Sequence, residues 1–108
     1  MRKEYCKIVR DRIPEMIENS GKRAEYEQVS CEEAVSGLEE KLMEETREYL
    51  ESRELEEMAD ILEVMRGILF LRGTSMDEVE EIRIRKKAER GGFEKRIRLL
   101  GVIDDSEN

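Results

Sequence analysis

Along most of the chain, apolar residues recur at the three- and four-residue spacing of an amphipathic helix, and the breaks between runs carry helix-ending residues. Pro14 stands where a helix can begin after Asp11 to Ile13. Gly21, following Asn19 and Ser20, is a natural stop, so a short helix is predicted over about 12–20. Residues 24–29 alternate weakly, as either a short strand or an extended connection. Ser30 and Glu33 form an S-x-x-E capping box that opens a long helix running to about Ser52. After a break at Ser52-Arg53, a second long helix is predicted over about 54–72, closed by Gly73. Thr74 or Ser75 caps a third, with Asp77 and Glu78 in its first turn and Arg83 to Arg90 at its end, as the helix dipole prefers. Gly91-Gly92 ends it, and residues 96–103 are expected to form a final strand, paired with 24–29. The predicted class is all-α: an antiparallel helical bundle with one or two short extended segments.

Within the long helices, the acids fall in informative places. On helix 31–52, Val35, Leu38, Leu42, Thr46 and Tyr49 share one stripe, and Lys41, Glu44, Glu45 and Glu48 line one of its borders. On helix 54–72, the apolar positions sweep an arc of about 200° from Leu71 and Val64 round to Leu62 and Leu55. Glu57 falls inside that arc and Asp60 at its edge. A carboxylate buried there without a partner is costly and takes up a proton instead. The short connection near 52–53 makes the two helices antiparallel neighbours, which can turn Glu45 and Glu48 toward Glu57 and Asp60. Four carboxylates in one pocket require a compensating cation, and oxygen-only ligation favours Mg²⁺ or Mn²⁺. The competing expectation pairs Glu57 with an arginine such as Arg47 or Arg66, or lets it reach solvent from an incompletely covered arc.

Composition narrows the chemistry. The chain has 108 residues, of which 44% are charged and 38% hydrophobic, with no Trp. That predicts a single domain over residues 1–108 whose thin core is completed by oligomerisation. The absence of histidine excludes Ser-His-Asp and Cys-His catalysis and His-bearing metal sites. Cys6 and Cys31 make no disulfide framework, which fits a reducing, cytoplasmic compartment. The opening MRKEYCKIVRDR lacks an apolar signal region, and the longest Gly-free apolar stretch is Ile68 to Leu71, so neither targeting nor a membrane partner is expected.

Charge is uneven: residues 39–81 carry 5 basic and 15 acidic side chains, while residues 82–98 carry 8 and 2. An acidic patch beside a basic one suits a metal–phosphate ligand, although solvated helix faces in a charge-rich protein produce the same pattern. A net charge of −8 and the lack of an aromatic-interleaved basic face argue against genomic nucleic acid as a partner.

The run KLMEETRE at 41–48 followed by EEMADIL at 56–62 resembles the paired E-E-x-x-E and E-x-x-D motif of the MazG-like all-α nucleoside triphosphate pyrophosphohydrolases, a superfamily that includes phosphoribosyl-ATP pyrophosphohydrolase. KIVRDRIPEMI at 7–17 and ERGGFEKRI at 89–97 resemble its short, single-domain house-cleaning branch, and the four segments together span about residues 5–97. The resemblance implies a MazG-like bundle, assembly as a dimer or larger oligomer, and Mg²⁺-dependent cleavage of a nucleotide between the α and β phosphates. By motif position the metal ligands fall on Glu45, Glu48, Glu57 and Asp60, and Glu44 is a further ligand or a water-orienting base.

Lys41, one turn before Glu45, is placed to meet developing phosphate charge, or simply pairs with Glu45 at i,i+4. Lys86 and Arg90 are expected to bind phosphate beside Gly91-Gly92, or to form a plain basic helix end with a glycine cap. Arg10 is a further substrate contact or a surface ion pair, and Phe93 either stacks on a base or packs. From a different class, the alternative is a helical interaction or adaptor module with a solvated acidic face. A nucleotide-binding regulator without turnover is a third.

Overall fold

The computed structural model, which describes residue 2 and residues 5–106, places four helices at the predicted signals: α1 (Ile13–Asn19), α2 (Cys31–Ser52), α3 (Leu55–Leu71) and α4 (Met76–Arg90). There is no strand among the described residues, so the all-α class holds. The chain divides into one unit up to Met76 and another from Asp77 onward.

In the first unit, helix ends follow their local chemistry. Ser30 Oγ accepts the Glu33 amide at 3.1 Å and opens α2. Gly21 and Gly73, at φ +92° and +76°, are the left-handed residues of two Schellman closures. Lys22 and Thr74 donate back to the Ile17 and Leu69 carbonyls, while the two glycines donate to those of Glu18 and Phe70. Arg53, between α2 and α3, also takes the left-handed conformation at φ 59°; its amide donates to the Tyr49 carbonyl at 2.7 Å and its side chain to the Leu50 carbonyl at 2.9 Å.

Packing is concentrated on the α2–α3 hairpin. A Cβ at Gly67 of α3 would meet Leu38 Cδ1 of α2 at 3.2 Å, so glycine allows a close approach there. Val64 and Ile68 are the buried apolar residues among those described, and Val35, Leu38, Leu42 and Tyr49 of α2 are half-buried. Thr46, expected in the α2 stripe, is exposed, and its hydroxyl donates to the Leu42 carbonyl. The apolar arc of α3 is covered on one side only, for Leu55, Met58 and Leu62 are exposed. No helix is long and apolar enough to cross a membrane among the described residues.

The second unit comprises the rest of α4 and the segment beyond it. The strand expected at 96–103 does not form, nor does one at 24–29. A β-prone segment needs a paired neighbour to satisfy its backbone and pack its side chains, and without a ladder it is only extended chain. Leu100, Val102 and Ile103 stand exposed there.

Candidate metal centre

The hairpin aligns two pairs of acids. Glu45 and Glu48 lie one turn apart on α2, Glu57 and Asp60 one turn apart on α3, and only Arg53 and Glu54 separate the helices. The register is the one that sets Leu38 on Gly67: each step along α2 toward the turn is matched by an equal step along α3. It brings Glu45 to Asp60 and Glu48 to Glu57.

One carboxylate oxygen from each of Glu45, Glu57 and Asp60 lies within 4.8 Å of the other two. Oxygens this close fit within the coordination shell of a single divalent ion. Glu48 is outside that trio, and its carboxylate acts electrostatically on both Glu45 and Glu57.

Glu45 is only 7% exposed, and its Oε2 has no hydrogen-bond partner. Burial pushes its carboxyl above the ordinary range, Glu48 and Asp60 push it further, and Lys41, 3.7 Å from Oε1, opposes them. Glu57 is raised in the same way, first by desolvation and then by Glu48 and Asp60, against a 3.5 Å contact from the Ser52 hydroxyl. Neither Arg47 nor Arg66 forms an ion pair with Glu57 among the described contacts.

Three cations meet the cluster. Arg10 Nη2 donates to Asp60 Oδ1 at 2.8 Å, and Lys7 Nζ to Glu44 Oε1 at 2.9 Å. The Lys7 ammonium holds Glu44 below the ordinary carboxylate range. Lys41 completes the set at Glu45. Five carboxylates (Glu44, Glu45, Glu48, Glu57 and Asp60) thus gather beside these three cationic partners, with Arg47 a further positive charge near Glu44. The orphaned Glu45 Oε2 and the all-oxygen donor set fit Mg²⁺ or Mn²⁺.

Of the other expected site residues, Lys86 and Arg90 lie exposed on α4 in the second unit. α4 ends as a glycine-capped helix, with Gly91 at φ +85° donating to the Lys87 carbonyl. Phe93 is 95% exposed and does not pack. Lys7 was not singled out by helical periodicity because it precedes the first helix; its signal is the spacing of two cations, Lys7 and Arg10, just upstream of Pro14.

Comparison with known proteins adds no relative: no family model, curated protein or solved structure matches the chain.

Proposed function

We propose that this protein is a Mg²⁺-dependent nucleotide pyrophosphohydrolase of the MazG-like type, cleaving a nucleoside triphosphate or phosphoribosyl-ATP to a monophosphate and pyrophosphate. The observation that carries this reading is the buried, unpartnered Glu45 Oε2 among Glu57, Asp60 and Glu48, an arrangement that wants a cation. The residue pattern KLMEETRE with EEMADIL supports the phosphate chemistry.

In this reading Glu45, Glu48, Glu57 and Asp60 hold the metal. A bound Mg²⁺ supplies charge neutralisation for the phosphate oxygens. Glu44, kept ionised by Lys7, is poised to orient the attacking water and accept its proton. Lys41 and Arg10 bring positive charge to the phosphates by exchanging carboxylate partners for phosphate oxygens. Self-association into a dimer or tetramer completes the apolar arc that Leu55, Met58 and Leu62 leave open.

A second reading, an interaction module, is favoured by the exposed apolar residues Leu99, Leu100, Val102 and Ile103. Product analysis separates the two. Purified protein with Mg²⁺ is assayed across common and modified nucleoside triphosphates and phosphoribosyl-ATP. The hydrolase reading requires pyrophosphate release that is abolished by EDTA, Glu48→Gln and Asp60→Asn. Absence of product from every substrate, together with absence of divalent-ion binding, favours the interaction module.

A further inference from the structure

Beside the acidic cluster, a groove of about 920 Å³ runs between the N-terminal segment, residues 25–29 and the N-terminal half of α2. Its size is within the range of small-molecule and cofactor sites. It shares Lys41 and Glu44 with the acidic cluster, and Lys7, the partner of Glu44, also lines it. A ligand whose phosphates are held at the carboxylates therefore has this groove open to the rest of its structure.

The lining indicates what that remainder is. Tyr5 and Tyr26 line the groove and are 72% and 70% exposed, offering flat aromatic surface without the burial that would explain them as core. Beyond the lysines, its walls carry Glu27, Glu33 and Glu40, together with Glu25 and Arg2, which pair at 2.9 Å. Carboxylates there repel further phosphate and accept hydrogen bonds from hydroxyl and amino groups. Two lysines at the end shared with the cluster, with Arg2 neutralised by Glu25 and aromatic rings and acceptors along the walls, match a molecule with an anionic end and a flat, uncharged, donor-bearing body.

The groove is built by close approach. Gly37, in the middle of α2, has the Ile8 side chain so near that a Cβ would overlap it. Glycine at such a position costs a helix about 1 kcal/mol relative to alanine. Here it seats the segment that carries Tyr5 and Lys7 against α2.

We infer that this groove is the nucleoside subsite: Tyr5 and Tyr26 stack on the base, the wall carboxylates accept from amino and hydroxyl groups, and Lys7, with three donors, keeps Glu44 while donating to a phosphate oxygen at its mouth. The inference rests on the proposed nucleotide reading for the placement of the phosphates.

The probe is 2-aminopurine riboside triphosphate with Mg²⁺, read by base fluorescence, with pyrophosphate release followed in the same samples. Saturable quenching by the wild-type protein is expected, and Tyr5→Leu and Tyr26→Leu should each weaken apparent affinity by about 5-fold or more, since one base stack is worth about 1–3 kcal/mol at 1.4 kcal/mol per tenfold. Both rings are at the surface, so the fold tolerates these changes, and unchanged displacement of the probe's phosphate end by inorganic tripolyphosphate verifies it. No quenching by wild type, or equal quenching and affinity in both leucine variants, overturns the subsite. Quenching without pyrophosphate release overturns the hydrolase reading and leaves the groove as a nucleotide-binding site. Release without quenching overturns the groove alone.

Discussion

Glu45 of α2 faces Asp60 of α3 across the hairpin seam, and the two carboxylates are served unequally. Asp60 Oδ1 accepts from Arg10 at 2.8 Å, whereas Glu45 Oε2 is buried without a partner. Asp60 keeps an edge toward solvent, while Glu45 is enclosed. An ionised Glu45 is therefore unfavourable in the metal-free protein and favourable once a cation is beside it.

Replacing Glu45 by glutamine removes that charge while keeping the side chain's shape. Metal-free Glu45→Gln should be more stable than wild type at pH 8 by about 1 kcal/mol, a rise in Tm of roughly 4 °C for a small domain. Thermal denaturation in EDTA measures it. A lower Tm in the variant would mean that Glu45 is already satisfied without metal.

The pH dependence has a definite sign. Glu45 and Glu57 have carboxyls raised in the fold, so their contribution to stability is complete below the ordinary carboxylate value and is lost as pH rises through their raised values. Glu44, Glu80 and Asp104 are lowered by Lys7, Arg83 and Ser106, so theirs is present above the ordinary value and lost as pH falls through the lowered ones. Metal-free protein should be most stable in mildly acidic solution, and the Tm increment from Mg²⁺ should be larger at pH 8 than at pH 5. Scanning calorimetry at both values, with and without Mg²⁺, tests this; an increment independent of pH would contradict it.

Gly37→Ala sets helix propensity against packing. In an unconstrained helix the change would stabilise by about 0.5–1 kcal/mol. Here the added methyl meets Ile8, so the variant should lose stability, measured as a lower Tm in thermal denaturation. A gain in stability would show that the N-terminal segment is not seated on α2.

Arg10→Ala should have little effect on stability, because the Arg10–Asp60 pair is largely exposed and such pairs contribute about 0.2–1 kcal/mol. Its effect should appear in catalysis, as a fall in kcat/KM from the loss of a phosphate contact. Steady-state kinetics beside a denaturation curve separates the two, and a large stability loss with unchanged kcat/KM would make Arg10 structural.

Much of the helical layout was legible because its signals are local. Ser30 with Glu33, and the glycines at 21 and 73, mark their boundaries through the hydrogen bonds that they make within a few residues. The cluster was legible for a related reason: helical periodicity and a short connection suffice to bring acids on facing stripes together. Periodicity does not reveal how much of a stripe is covered. Glu45, expected at the border, is the most enclosed acid among the described residues, while Leu62, inside the α3 arc, is exposed. Contacts formed across long separations were hidden, such as Lys7 with Glu44 and Ile8 with Gly37, since no local pattern encodes them. The strand expected at 96–103 failed because alternation specifies a face and supplies no partner, and of the two expectations for 24–29 the extended connection is the one that forms.

The most direct measurement is a calorimetric titration of Mn²⁺ into the metal-free protein at pH 8, with Glu45→Gln and Asp60→Asn alongside. Saturable binding of one ion per chain, displaced by Mg²⁺ and lost in both variants, is the predicted result. Absence of binding by the wild type, or binding that survives both substitutions, would contradict a metal centre at Glu45, Glu57 and Asp60.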